Sequence, residues 1–89
     1  MLRQKHFAQI NLLLLRMTIV EITEEPIELY KILKFESLVG SGGEAKLVIG
    51  NGLVQVNGVL ETRKRKKIVS GDTIEFAGEK MRILLLKSK

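Results

Sequence analysis

The sequence predicts an α+β domain in which two short helices pack on a small set of short, mostly antiparallel strands. Three observations carry this prediction. Apolar residues recur at helical spacing up to residue 50, as Leu29, Ile32 and Leu33 and again as Ala45, Val48 and Ile49. From Leu53 onward the apolar residues alternate with polar ones, between turn-forming groups at Asn57-Gly58, Ser70-Gly71-Asp72 and Ala77-Gly78-Glu79. The chain has 89 residues, thirty of them Leu, Ile or Val, which suffices for one aliphatic core.

Residues 1–16 read as a flexible N-terminal extension. The run Leu12–Leu15 is too short to span a bilayer, and Gln9, Asn11 and Arg16 interrupt the pattern that a secretion signal requires. Met17 is a second candidate start, because it directly precedes Thr18–Ile22, which alternates as a strand does. Glu24, Glu25 and Pro26 then read as a helix start, with Pro26 at the first helical position and the helix running to Phe35. The next helix is expected over 44–50. Ser41 and Glu44 form a capping box before it, and Gly50-Asn51-Gly52 stops it. Strands follow at 53–56, 67–69, 73–76 and 80–86. Ile74 and Phe76 face inward, and no internal repeat occurs.

Composition excludes several functions. There is no Cys, so disulfides, thiol nucleophiles and cysteine-ligated metals are absent, and a cytoplasmic location is favoured. The single His, His6, gives no base for a catalytic pair and no multi-His metal site. Asp72 reads as a turn residue, and no phosphate-loop or metal-loop spacing occurs. No catalytic residue, cofactor or metal is therefore expected. Aromatics are only 4%, so stacking on exposed rings is not expected to be the main binding device.

The net charge is +5 and points to an anionic partner. It is unevenly placed: residues 1–16 carry three cations and no acid, and residues 61–89 carry nine Lys or Arg against four acids. The sharpest feature is Arg63-Lys64-Arg65-Lys66-Lys67, five consecutive cations that gain nothing from one another but suit a nucleic-acid backbone. In an extended segment, Arg63, Arg65 and Lys67 would point one way and Lys64 and Lys66 the other, so at most about three could meet one phosphate strand unless the segment loops out. A second candidate is the helix start at Ser41, Gly42 and Gly43, where backbone N–H groups are accessible to a phosphate and Lys46 lies close by. Lys31 and Lys34, three apart on the exposed side of the first helix, complete the candidate set.

The order of Ser41-Gly-Gly-Glu-Ala-Lys46, Val54-x-Val-Asn-Gly58 and Val69-Ser-Gly-Asp-Thr-Ile74 resembles a known family. It is similar to the small RNA-binding domain named after bacterial small-subunit ribosomal protein S-four, the alpha-L fold. Within that group it is most similar to the stand-alone YbcJ- and YaaA-like members, which are essentially one such domain. The resemblance spans residues 25–76. It implies a single alpha-L RNA-binding domain over 17–89, with the two helices and the following loop forming one basic surface for structured RNA. Ser41, Lys46 and Arg63–Lys67 fall on those positions. Many members have Arg after the capping Ser, where this chain has Gly42, which shifts the expected contacts toward backbone N–H groups and the basic run. Appended versions of the domain serve RNA-modifying enzymes, but the residues after Phe76 are too few for a catalytic domain.

The expected function is non-enzymatic binding of structured RNA, ribosomal RNA or a ribosomal particle, by a monomer with no membrane contact. The alternative is a small β-rich protein-interaction adaptor with no nucleic-acid partner. A ubiquitin-like sulfur carrier shares the Val54–Gly58 and Gly71–Ile74 patterns, but such carriers end in Gly-Gly and this chain ends Leu86-Lys-Ser-Lys89.

Overall fold

The computed structural model of the chain describes residues 3–4 and 17–86. His6 and Leu12–Leu15 lie outside the described residues. Ten elements follow in order: β1 (Arg3–Gln4), β2 (Met17–Ile22), β3 (Ile27–Glu28), α1 (Leu29–Phe35), α2 (Gly42–Gly50), β4 (Val54–Val56), β5 (Val59–Leu60), β6 (Lys67–Ile68), β7 (Thr73–Phe76) and β8 (Glu79–Leu85). The main sheet runs β1-β2-β8-β7-β4-β5, and β3 and β6 form a separate two-stranded ladder. All pairs are antiparallel except β2 with β8, which run parallel with Val20 opposite Ile83. Alternation puts Val20 and Ile22, Val54 and Val56, Ile74, and Met81 and Ile83 on the inner face. They join Leu29, Ile32 and Leu33 of α1 and Ala45 and Ile49 of α2 in one buried cluster. The expected α+β class, with both apolar helix faces buried, is therefore present.

Several boundaries differ from expectation, each for a reason of backbone pairing. Helix α1 starts at Leu29, not Pro26. Ile27 and Glu28 are held extended opposite Ile68 and Lys67, so they cannot begin a helix. Glu28 is the N-cap but offers no side-chain hydrogen bond. The first helical N–H groups donate instead across the domain, Leu29 N to Lys66 O at 2.8 Å and Tyr30 N to Lys64 O at 3.2 Å. Helix α2 starts at Gly42, two residues before Glu44, because Ser41 itself is the cap. Ser41 Oγ accepts from Glu44 N at 3.1 Å, and Glu44 Oε1 accepts from Gly40 N at 2.7 Å, one residue upstream of the usual capping-box partner. The basic run loops out rather than running extended: only Lys67 lies in a strand, and Lys66 N donates to Arg63 O at 3.2 Å to close a turn. Strand β5 and the extended pair at β3 are additional to the strands that the sequence predicts.

Two turns match their sequence signals. Asn57 and Gly58 both have positive φ, 54° and 81°, as a tight hairpin between β4 and β5 requires. The Asn57 side chain also ties this turn to the next one: its Nδ2 donates to Asp72 Oδ1 at 3.0 Å and its Oδ1 accepts from Thr73 N at 2.9 Å. Asp72 in turn accepts from Val69 N at 2.9 Å, a turn role as expected.

Candidate nucleic-acid interface

The candidate cations come from three separate segments, and Tyr30 is where they meet. Its ring centroid lies 4.5 Å from Lys46 Nζ, 5.2 Å from Arg65 Cζ and 6.0 Å from Lys31 Nζ. These are cation–π distances, so the ring offsets part of the repulsion among three positive groups. A methyl group on Gly42 would sit 3.7 Å from Tyr30 Cε2 and 3.9 Å from Lys34 Cδ. The first turn of α2 therefore packs directly against α1 where its lysines emerge. Lys34 Nζ lies 5.5 Å from the Phe35 ring centroid.

The basic run does not act as one block. Arg65 turns toward α1, where Nη1 meets Glu28 Oε1 at 3.1 Å. The Tyr30 side chain first, and the Glu28 carboxylate second, hold this guanidinium above its ordinary pKa. Lys64 reaches the other end of α2: a methyl group on Gly50 would lie 3.1 Å from Lys64 Cε. The ends of a nine-residue helix are roughly 12 Å apart, so adjacent residues of the run straddle α2. Arg63 is bound by Glu61, with Nε to Oε2 at 2.8 Å, Nη2 to Oε1 at 3.1 Å and backbone N to Oε2 at 3.0 Å. Hydrogen bonds from Arg63 hold the Glu61 carboxyl below its ordinary pKa. The planar guanidinium fork of Arg63, of the kind that can grip a phosphate, is thus occupied in this structure. Among the described residues, no ion pair holds Lys34, Lys46, Lys64, Lys66 or Lys67.

At the start of α2, the N–H groups of Gly42 and Gly43 precede the first intrahelical acceptor pair, Ala45 N to Ser41 O at 3.0 Å. The Glu44 carboxylate sits at the same helix end, on Gly40 N. Sequence reasoning missed Tyr30 as the hub and Glu28 and Glu61 as counter-charges. Tyr30 was legible only as the lone polar-tipped aromatic beside the buried stripe. Glu28 lies 37 residues from Arg65, whereas Glu61 stands only two residues before Arg63 and its adjacency to the basic run was the signal that could have found it. Among the described residues, no group of three or more His, Cys, Asp or Glu could hold a metal ion, and no helix is long and apolar enough to cross a membrane.

The S4 domain family model matches residues 20–84, most of the described chain. The chain belongs to the S4 domain family. This match exceeds the span of residues 25–76 at both ends and takes in most of β2 and β8, the parallel pair. Two relatives align with the chain at 47% identity over 58 residues, covering 65% of this chain and 83% of each relative. They are the "Putative RNA-binding protein YbcJ" of Escherichia coli (strain K12) and the "Uncharacterized protein YbcJ" of Shigella flexneri. The solution structure of YbcJ from E. coli, described as revealing an alfaL motif involved in RNA-binding, superposes with a TM-score of 0.59 at 42% identity. That match covers 74% of this chain and 85% of the other. The expected alpha-L fold and the stand-alone YbcJ-like grouping are both borne out. In this S4 domain the 63–67 loop touches α1 through Arg65 at Tyr30 and α2 through Lys64 at Gly50.

Proposed function

We propose that this S4 domain protein binds structured RNA without catalysing a reaction, acting as a monomer in the cytoplasm on ribosomal RNA or a ribosomal particle. The observation that carries the reading is the convergence of Lys31, Lys46 and Arg65 on Tyr30 from three segments, with Glu28 paired to two of these three like charges and Lys46 left without an ion pair among the described residues. The RNA-binding wording attached to the E. coli relative and its structure supports it. Phosphates are held by Lys34, Lys46, Lys64, Lys66 and Lys67, with Arg65 and the Gly42 and Gly43 N–H groups beside them.

The test is fluorescence anisotropy of the full chain with a folded ribosomal RNA fragment and an unstructured strand of equal length, each over a range of salt. With about four to five phosphates neutralised, the log–log salt slope is expected near −3 to −4 for the folded fragment. Comparable affinity for the unstructured strand counts against recognition of structure. Absence of salt-dependent binding to either RNA returns the reading to a protein-interaction adaptor. Its surface would be β5 at the sheet edge, where Val59 and Leu60 are 68% and 57% exposed.

A further inference from the structure

A groove of about 500 Å³ opens beside α1 and adjoins the Tyr30 cation cluster, sharing Tyr30 and Lys31 with it. Its apolar lining comes from Pro26, Ile27 and Phe35, its rim carries Lys34 and Lys67, and Glu24 stands at one side. The volume is in the range of small-ligand sites, roughly 300–1,000 Å³. Phe35 ends α1 off the buried stripe and is 53% exposed, although Ile32 and Leu33 just before it are fully buried. The helix needs no aromatic there for its core. The second acid of the lining, Glu28, already answers Arg65 and Lys31. Glu24 has no hydrogen bond or ion pair among the described residues.

We infer that this groove receives one unpaired nucleobase of the bound RNA, stacked on Phe35, so that the favoured ligand is a duplex interrupted by a bulged nucleotide. The inference rests on the RNA-binding reading above and adds what the RNA must present. A nucleobase is flat, apolar on its faces and carries N–H donors on its edge. Its face matches Phe35, its edge donors match the Glu24 carboxylate, and its flanking phosphates match Lys34 and Lys67. A base inside a continuous duplex has both faces stacked and its pairing edge used, so it cannot enter. An apolar peptide would leave the rim lysines without partners. One stacked base in an otherwise phosphate-reading surface also reconciles a low aromatic content with a binding role for a ring.

The experiment compares two RNA hairpins with equal numbers of phosphates, one with a fully paired stem and one with a single bulged 2-aminopurine, by anisotropy with the full chain. The bulged hairpin is expected to bind about tenfold more tightly, the order of one base–ring stack, with a change in 2-aminopurine emission on binding. Phe35→Leu should abolish both the preference and the emission change, while leaving affinity for the paired hairpin and its salt slope intact. Phe35→Tyr should retain them. Equal binding of the two hairpins by the wild type, or a preference that survives Phe35→Leu, overturns the inference. Failure of both hairpins to bind in a salt-dependent way overturns the RNA-binding reading and this inference with it.

Discussion

The Arg65 guanidinium lies against the Tyr30 ring, and the Tyr30 backbone is bonded to the residue just before Arg65. The guanidinium carbon of Arg65 lies 5.2 Å from the Tyr30 ring centroid, and the backbone N–H of Tyr30 donates to the carbonyl of the adjacent Lys64 at 3.2 Å. The loop that carries the cations is thereby fastened to the start of the helix that carries the ring. This anchors the loop backbone through main-chain hydrogen bonds, while Lys64 and Lys67 stay exposed and Lys66 is half-buried. A basic run of this kind is usually a solvated loop, and here the backbone contacts with α1 set its orientation.

The unpaired lysines, not Arg63, should set the salt dependence. Lys34→Gln with Lys46→Gln should flatten the log–log salt slope by roughly 1 to 2. Arg63→Gln should change it by well under one, because Glu61 already occupies that fork. Anisotropy over a salt series decides between them. An Arg63→Gln effect as large as that of the lysine pair would show that the Glu61 contact opens on binding.

Tyr30→Leu keeps every charge and removes the ring. The three cation–π contacts, at about 0.5–1 kcal/mol each for exposed groups, set the scale, so stability should fall by roughly 1–2 kcal/mol. RNA affinity should weaken as the cations spread, with the salt slope kept. A denaturant melt and the same salt series read both effects, and a lost slope would refute the platform role.

Leu33→Ala should lower stability by about 2–5 kcal/mol, since Leu33 is fully buried between the helices and the sheet. Among molecules still folded, the salt slope should stay at the wild-type value. Chemical denaturation with binding measured well below the midpoint separates the two readouts.

Ser41→Ala removes the acceptor of the Glu44 N–H and should cost about 1 kcal/mol, whereas Ser41→Gly should cost only a few tenths. Thermal melts of the two variants test this. Equal losses would mean that the Gly40–Glu44 contact alone holds the helix start.

Two carboxyls should move stability with pH in opposite directions. Glu61 is held below its ordinary value of 4.5 by Arg63, so its contribution is fully present above that value. It is lost as pH falls through the lower folded value, and Glu61→Gln should remove this acid-side loss. Burial pushes Glu36 above 4.5, so its ionisation opposes folding once pH rises through that range. Glu36→Gln should therefore stabilise the protein at neutral pH and confer no gain in acid. Melts across the acidic range check both signs, and a Glu36→Gln variant less stable at neutral pH would contradict the burial argument.

The sequence by itself determined the features that depend on neighbours a few residues apart. Leu29, Ile32 and Leu33 marked a buried helix face, Ser41 and Glu44 a helix start, and Asn57-Gly58 a hairpin with positive φ at both positions. It also marked every cation of the candidate interface, because a run such as Arg63–Lys67 is visible without a fold. Only the tertiary structure decided what those cations do. The start of α1 was set by pairing of Ile27 and Glu28 with Ile68 and Lys67, forty residues away or nearly so, which overrode a local Pro26 signal. The parallel partnership of β2 with β8 was hidden because alternation reads the same in either strand direction. The separation of Arg65 toward Tyr30 from Lys64 toward Gly50 follows from a turn that spacing alone did not reveal. Charge is a property of residues and is legible in their order, but its placement is a property of long-range backbone pairing, which a local pattern does not encode.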